Sequence, residues 1–263
     1  MQFIDLKSQQ KLIRENIENR IQAVLDHGKY IMGPEVYELE ELLADYVGVK
    51  YSISCSSGTD ALLLPLMAKN IKSGDAVLTT PFTYIATAEV IALVGAEPIF
   101  VDINPDTYNI NPDLIETAIA ESYSKGLTPK AIIAVDLFGL PARYRLIEKI
   151  ANKHKLFLIE DAAQGFGGSV RQRKAGSFGN VGATSFFPAK PLGCYGDGGA
   201  IFTNDESLAI SMRSIRVHGS GNDKYDSIQI GRNARMDTIQ AAILLEKLKM
   251  FNDEISMRDR ISK

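Results

Sequence analysis

The spacing of hydrophobic positions predicts two amphipathic helices at the start of the chain. Isoleucine and leucine recur at every fourth residue from 13 to 25, so these side chains share one face of a helix that ends at Gly28. A second amphipathic stretch covers residues 36–47 and ends at Gly48. We expect the first of these helices to serve as a packing surface.

From residue 51 onwards, short apolar runs alternate with helical stretches. The predicted strands are 51–54, 76–79, 98–101, 131–135, 156–159, 184–187 and 199–203, and the predicted helices are 61–68, 84–94, 112–121 and 142–153. Strands that are apolar throughout are usually buried on both faces. Their alternation with helices predicts an α/β fold with a mostly parallel sheet covered by helices.

The predicted domain organisation is one large domain followed by a connecting helix. Residues 1–235 contain all the alternating elements, whereas residues 236–263 continue a helical pattern that stops without a capping signal. We therefore expect residues 236–263 to be the start of a helix that leads to a smaller C-terminal domain absent from this sequence.

Composition narrows the choice of partners and compartment. The net charge of −3 and the lack of a basic block argue against a nucleic-acid partner. No apolar run approaches the ~20 residues of a membrane helix, and the N-terminus lacks a signal-peptide pattern. With only two cysteines and three histidines, no disulfide framework or metal site is expected. We expect a cytoplasmic protein with no membrane partner.

Three segments place polar or reactive groups where predicted strands end, which is where open parallel sheets bind ligands. In the first segment, Ser57, Gly58 and Thr59 follow a strand and begin a helix. A helix N-terminus offers free N–H groups and a partial positive charge, which suit a phosphate. An ordinary turn with Ser57 or Thr59 as the N-cap would give the same pattern.

The second segment ends an apolar strand with Asp161. A carboxylate at this position can pair with a protonated pyridine nitrogen, because opposite charges stabilise each other in a partly dry site. A pyridine ring that keeps its proton acts as an electron sink. The alternative is that Asp161 only caps the following turn.

The third segment contains Lys190, which follows two aromatic residues and a proline and precedes a glycine-rich turn. Most lysines are solvated surface groups. A lysine in an apolar pocket or near another positive charge loses its proton more easily and becomes a nucleophile. Each segment is a weak signal by itself, and their order along the chain is what carries the prediction.

The sequence as a whole resembles the DegT/DnrJ/EryC1/StrS group of sugar aminotransferases, which depend on pyridoxal 5'-phosphate (PLP). The matching stretches follow the family order along the chain: 33–36, 57–62, 81–88, 160–164, 185–190, 196–200 and 231–237. The resemblance implies the fold type I PLP-dependent transferase architecture, an α/β/α sandwich. Residues 1–235 would then be its PLP-binding large domain.

The resemblance also implies roles for individual residues. Lys190 would form the Schiff base with PLP, and Asp161 would pair with the pyridine nitrogen. The other implied cofactor contacts are Gln164 at the ring hydroxyl, Tyr84 on the ring face, and Gly58, Thr59 and Ser185 at the phosphate.

Three further residues concern the dimer and the substrate. The resemblance implies that Asn233 reaches the phosphate of the cofactor in the other subunit, so we expect a homodimer with shared active sites. Arg235 and His218 match family positions near the site and are candidate substrate contacts.

The substrate is expected to be a nucleotide-linked keto-sugar. Residues 3–7, 27–36 and 190–199 resemble the aminotransferases of UDP-2-acetamido-2-deoxy-3-oxo-glucuronate, which use L-glutamate and serve O-antigen, lipopolysaccharide or related pathways. Two alternatives remain open: a C4-aminotransferase of a UDP- or dTDP-4-keto-6-deoxy sugar, and an inactive fragment or regulatory protein. Sugar dehydratases of the family carry histidine at the lysine position, so Lys190 argues for transamination.

Overall fold

The computed structural model describes residues 5–221, 223 and 226–262. The first four residues and residue 263 belong to the predicted domain ranges but lie outside the described residues. The same holds for residues 3 and 4 of the stretch 3–7.

Alternating helices and strands run through the described residues. The helices are α1 (Leu6–His27), α2 (Pro34–Val47), α3 (Gly58–Ala68), α4 (Ala86–Leu93), α5 (Ile115–Ser124), α6 (Tyr144–His154), α7 (Glu206–Arg216) and α8 (Thr238–Ile261). The strands are β1 (Tyr51–Cys55), β2 (Asp75–Thr79), β3 (Glu97–Phe100), β4 (Thr128–Val135), β5 (Phe157–Asp161), β6 (Ser169–Val170), β7 (Arg173–Lys174), β8 (Val181–Ser185) and β9 (Gly199–Thr203). None of these helices is long and apolar enough to cross a membrane.

A seven-stranded sheet in the order β1-β9-β8-β5-β4-β2-β3 forms the centre of the fold. Strands β3, β2, β4, β5 and β8 are parallel, whereas β9 runs antiparallel to both β8 and β1. Strands β6 and β7 form a separate hairpin. The prediction of a mostly parallel sheet is therefore confirmed.

Hydrophobic side chains cover both faces of this sheet. Alternate residues of β4 point to opposite faces, so Ala131 and Ile133 pack with α3, α4 and α7, while Ile132 and Ala134 pack with α5 and α6. A third cluster joins α2 and α8 to the second face beside β9. The result is the predicted α/β/α sandwich.

The predicted end of the first two helices is confirmed. Both α1 and α2 stop at a glycine with a left-handed backbone, Gly28 at φ 68° and Gly48 at φ 81°. Glycine adopts this conformation without steric cost, which is why it ends helices so often.

Strand β8 and helix α7 differ from the hydrophobic pattern, which also did not predict the hairpin of β6 and β7. The predicted strand 184–187 is shifted, because β8 covers Val181–Ser185 and begins with small residues that hid it. A side chain at Gly182 would lie 2.2 Å from the backbone oxygen of Gly176, so this position of the strand needs glycine. Helix α7 was not predicted; Asp205 caps it, accepting hydrogen bonds from the N–H groups of Ser207 and Leu208.

Candidate active site

A cavity of about 480 Å³ lies at the carboxyl ends of β5 and β8, beside the N-terminus of α3. Its lining includes most of the residues that the sequence singled out: Gly58, Thr59, Tyr84, Asp161, Gln164, Ser185 and Lys190. Three separate segments of the sequence therefore meet at one site, as expected for an open parallel sheet.

The N-terminus of α3 forms one wall of the cavity. Ser57 caps the helix, since its side-chain oxygen accepts a hydrogen bond of 3.1 Å from the N–H of Asp60. A side chain at Gly58 would place its Cβ 2.5 Å from the Cβ of Ser185, so only glycine lets α3 approach β8 this closely. The first turn of α3 thus lies beside the Ser185 hydroxyl, and together they can hold an anion such as a phosphate.

Asp161 lies at the end of β5 and is only 6% exposed. Its Oδ2 accepts a hydrogen bond of 2.9 Å from the hydroxyl of Thr87, and its Oδ1 accepts one of 3.2 Å from the N–H of Ala163. The capping of the next turn is therefore real and coexists with a place in the cavity. Both partners are neutral, so this carboxyl group is suited to a ligand that brings a positive charge.

Burial raises the pKa of Asp161 above its usual value. The hydrogen bonds from Ala163 and Thr87 and the positive charge of Lys190 act in the opposite direction. A pyridinium nitrogen beside Asp161 would lower its pKa further, since opposite charges stabilise each other in a dry site. The buried acid and the anion-binding wall together fit PLP, which carries a basic ring nitrogen and a phosphate.

Two more buried carboxyl groups lie next to Asp161. Asp136 accepts hydrogen bonds from the hydroxyl of Tyr144 (2.7 Å) and the N–H of Ala142 (3.1 Å). Glu160 accepts two backbone N–H bonds of 2.7 Å and interacts electrostatically with Asp136. Burial raises the pKa of Asp136 to about 7 and that of Glu160 well above its usual value. Because both carboxyl groups are buried, the neutral, protonated form is favoured in each.

Lys190 lies on the loop 186–198, which joins the antiparallel strands β8 and β9. The loop is held by backbone bonds from Phe186 N to Gly198 O (2.7 Å) and from Cys194 N to Phe186 O (2.8 Å). The N–H of Lys190 donates to the backbone oxygen of Phe187 at 2.8 Å. These bonds fix the backbone of Lys190 at the edge of the cavity, and its side chain is half-buried there.

The loop is also held from outside by α8. The side-chain amine of Lys247, itself only 2% exposed, donates to the backbone oxygen of Gly193. Burial lowers the pKa of Lys247 to about 8. This buried cation therefore links α8 to the loop that carries Lys190.

Tyr84 and Gln164, the two residues predicted to contact the ring face and the ring hydroxyl, differ in how firmly they are held. Tyr84 is 69% exposed at the cavity wall, so one side of its ring is open to a ligand. The side-chain oxygen of Gln164 accepts a hydrogen bond of 2.9 Å from the N–H of Phe138. This bond fixes the amide, whose nitrogen is the donor left for a ligand.

Asn233, Arg235 and His218 lie outside the lining of this cavity. Asn233 is exposed and forms an antiparallel bridge with Val217. His218 is exposed, with its N–H bonded to the backbone oxygen of Arg232 at 2.9 Å. The buried Nε of Arg235 has no hydrogen-bond partner among the described residues. Their predicted roles, which for Asn233 concern the other subunit, stay predictions.

Sequence reasoning missed several polar residues of the cavity, namely Thr83, Thr87 and Asp197. Thr83 and Thr87 belong to the family-like stretch 81–88 and are four residues apart. That spacing places side chains on the same side of a helical turn, and it is the signal that could have found them.

Comparison with known proteins places these features in a family. The DegT/DnrJ/EryC1/StrS aminotransferase family pattern matches residues 11–263. The UDP-2-acetamido-2-deoxy-3-oxo-D-glucuronate aminotransferase of Pseudomonas aeruginosa is 53% identical over 100% of this chain and 71% of its own length.

Two solved structures are similar over nearly the whole chain. An aminotransferase from Brucella abortus is 56% identical with a TM-score of 0.98, and the match covers 99% of this chain and 70% of that one. NtdA from Bacillus subtilis, solved with bound PMP, is 38% identical with a TM-score of 0.84 over 90% of this chain and 53% of its own. The chain belongs to the PLP-dependent DegT/DnrJ/EryC1/StrS aminotransferase family.

Proposed function

We propose that this chain transfers an amino group from L-glutamate to a nucleotide-linked keto-sugar. The proposed substrate is UDP-2-acetamido-2-deoxy-3-oxo-glucuronate, and the product is the 3-amino sugar. The observation that carries this proposal is the single cavity lined by Lys190, Asp161 and the N-terminus of α3. The similarity to the Pseudomonas aeruginosa enzyme supports the choice of sugar.

Different residues of the cavity would contact different parts of the cofactor. PLP, when bound, supplies a carbonyl carbon that bonds to amines and a ring that withdraws electrons. We assign the phosphate to Gly58, Thr59 and Ser185, the ring nitrogen to Asp161, the ring hydroxyl to Gln164 and the ring face to Tyr84.

Lys190 has two tasks in the proposed reaction. With PLP bound, Lys190 would hold the cofactor through its Nζ, and the amine of L-glutamate would release it. The freed Nζ then takes the proton from Cα of the donor and returns it one bond further along. The amino group would stay with the cofactor while water supplies the keto oxygen of 2-oxoglutarate. The keto-sugar would then take up this amino group, and its own keto oxygen would leave as water.

Several broader assignments belong to the same proposal. We propose a cytoplasmic homodimer in which Asn233 contacts the cofactor phosphate of the other subunit, and in which Arg235 and His218 contact substrate. The product would enter O-antigen, lipopolysaccharide or related surface-polysaccharide biosynthesis. We also keep the division into a cofactor-binding domain, 1–235, and a connecting helix from 236, within which α8 begins at Thr238.

The proposal is tested by replacing the nucleophile. Lys190→Ala should lower the release of 2-oxoglutarate from L-glutamate by at least about a thousandfold, because no other group can remove the Cα proton from the same place. The matched control is Lys153→Ala, which removes an exposed lysine on α6 that pairs only with Glu116 at the surface. Wild-type turnover by Lys190→Ala would overturn the proposal.

The substrate is tested separately with a panel of UDP- and dTDP-linked keto-sugars, using mass spectrometry to detect the amino product. Amination of the 3-oxo-glucuronate supports the proposal. A preference for 4-keto-6-deoxy sugars would assign the alternative C4 chemistry. PLP binding without release of 2-oxoglutarate would assign the chain to the inactive or regulatory alternative.

A further inference from the structure

Thr87 is a buried residue in the first turn of α4 that contacts the cavity acid directly. It is 1% exposed, and its hydroxyl lies 2.9 Å from Oδ2 of Asp161. The same hydroxyl lies 2.9 Å from the hydroxyl of Thr83. The three side chains therefore form a short hydrogen-bonded chain.

The direction of the protons in this chain follows from the chemistry of its end. An ionised carboxylate only accepts hydrogen bonds, so the hydroxyl proton of Thr87 is committed to Asp161. The lone pair of Thr87 then accepts the proton of Thr83. When Asp161 is ionised, the chain has one arrangement, with every proton pointing towards the carboxylate.

Asp161 is thereby held from two elements at once. Thr87, on α4, fixes Oδ2, while the N–H of Ala163, in the turn after β5, fixes Oδ1. A carboxylate with both oxygens fixed cannot rotate without losing a hydrogen bond. Its remaining lone pairs are then kept in one orientation towards the cavity that Asp161 lines.

The segment that contains Thr87 also carries Tyr84. The N–H of Thr87 donates to the backbone oxygen of Tyr84 at 3.1 Å, so the two residues share one turn. The bond from Thr87 to Asp161 therefore couples the residue assigned to the ring face with the residue assigned to the ring nitrogen.

We propose that Thr87 is a positioning residue, whose hydroxyl sets the orientation of the Asp161 carboxylate and its distance from Tyr84. This inference rests on the proposed function, because it acts through the role of Asp161 towards the cofactor. It assigns to Thr87 a share in both the affinity for PLP and the protonation of the site.

The electrostatics of Asp161 point in the same direction. Burial raises the pKa of this carboxyl, and the Thr87 hydroxyl is one of the groups that lower it again. Removing the hydroxyl should therefore raise the pKa of Asp161. The acid side of the pH–rate profile would then move to higher pH, a change that a packing role alone would not produce.

The test uses the purified chain reconstituted with PLP. We expect Thr87→Val, which keeps the shape but removes the hydroxyl, to weaken PLP binding about tenfold, the usual worth of a hydrogen bond to a charged group. We also expect it to move the acid limb of the L-glutamate half-reaction to higher pH. Thr87→Ser should restore both, and Thr87→Ala replaces the valine variant if that fails to fold.

Thr79→Val is the matched control. Thr79 is also a fully buried threonine, but its hydroxyl donates to the backbone oxygen of Ile133 at 3.0 Å and not to the cavity. We expect this variant to keep the wild-type PLP affinity and pH profile. If Thr87→Val behaves like Thr79→Val in both measurements, the inference is wrong.

Asp161→Asn separates this inference from the proposed function. If Asp161→Asn weakens PLP binding and Thr87→Val does not, only the role of Thr87 is refuted. If Asp161→Asn leaves PLP binding unchanged, the proposed function loses its ring-pairing residue and the role of Thr87 falls with it. If the two residues act as one unit, Thr87→Val in the Asp161→Asn variant should weaken PLP binding by less than about a further twofold. The inference requires this result.

Discussion

At the scale of single residues, the site is defined by buried carboxyl groups that keep protons at unusual pH. Asp136 and Glu160 are fully buried beside Asp161, and burial raises the pKa of both carboxyl groups. The positive charge of Lys190 lowers the pKa of Asp161. Ionisation of both carboxyl groups would place two negative charges in the core, which is strongly unfavourable.

This pair makes the stability of the protein depend on pH. In the unfolded chain both carboxyls ionise near pH ~4, whereas in the folded chain the pKa of Asp136 is about 7 and that of Glu160 is raised well above its usual value. The folded state binds more protons between these values, so stability is greatest below pH ~4 as far as this pair is concerned. We expect the free energy of unfolding to fall by on the order of 2 kcal/mol between pH 5 and 8, measured by urea titration.

Asp136→Asn is the informative variant for this prediction. Its amide does not titrate, while its oxygen still accepts hydrogen bonds from Tyr144 and Ala142. We expect this variant to fold and to show a smaller loss of stability between pH 5 and 8. An unchanged slope would show that Asp136 does not cause this pH dependence.

At the scale of elements, the close approach of α3 to β8 builds the anion-binding wall. Gly58 and Ser185 are in contact there because glycine has no Cβ. Helix α3 follows β1, and β8 lies two places away from β1 in the sheet. The contact between Gly58 and Ser185 brings the N-terminus of α3 to the Ser185 hydroxyl on β8.

Gly58→Ala should disturb both stability and cofactor binding. The added Cβ would lie 2.5 Å from that of Ser185, so α3 must move away from β8. Overpacking of this kind destabilises a protein by about 1–3 kcal/mol, and the shift should weaken PLP binding as well. Thermal unfolding and PLP titration measure the two effects.

The double variant Gly58→Ala, Ser185→Gly serves as the control. It removes the Cβ that the new methyl group would meet, so we expect most of the stability to return. PLP affinity should stay low, because the Ser185 hydroxyl is lost. If the stability does not return, the contact between the two Cβ atoms is not the cause of its loss.

The elements also show what the sequence can and cannot predict. The C-terminal ends of β4 and of the helices that stop at Gly28 and Gly48 agree with the prediction, whereas α1 begins at Leu6 and β4 at Thr128, before the apolar pattern starts. Strand β8 was displaced because Gly182 and Ala183 carry little hydrophobic signal. Asp161 and Lys190 were identifiable from their order and surroundings, whereas Thr87 meets Asp161 across 74 residues, a contact that no local pattern encodes.

At the scale of the whole molecule, α8 joins distant parts of the fold. Arg20 on α1 pairs with Glu246 on α8 (2.8 Å) and with Glu38 on α2 (2.9 Å), which raises the pKa of Arg20. On the next residue of α8, Lys247 holds the loop of Lys190 through Gly193. The helix thus connects the outer helical layer with the reactive loop.

The buried amine of Lys247 predicts a second pH effect, of opposite sign. Its pKa is about 8 in the folded protein and 10.5 at its ordinary value, so the unfolded chain binds more protons between these limits. The contribution of Lys247 to stability therefore rises from pH 8 to 10.5. Lys247→Met should lack this rise of about 1–3 kcal/mol in urea titrations at both pH values.

Lys249→Met is the matched control on the same helix. The side chain of Lys249 is 62% exposed, although the carboxylate of its partner Glu246 is buried. We expect this variant to keep the wild-type rise between pH 8 and 10.5. If both variants change the slope equally, the effect does not come from the buried amine.

The loop that carries Lys190 has a consequence for the speed of cofactor uptake. Ser185 and Gly199 pair where the loop leaves the two strands, and hydrogen bonds to Phe186 and Gly193 hold the loop itself. The entropy of ordering this segment is therefore lost when the chain folds and not when PLP arrives. We therefore expect PLP to bind in a single second-order phase. Its observed rate should grow linearly with cofactor concentration and should not saturate at a loop-closure step.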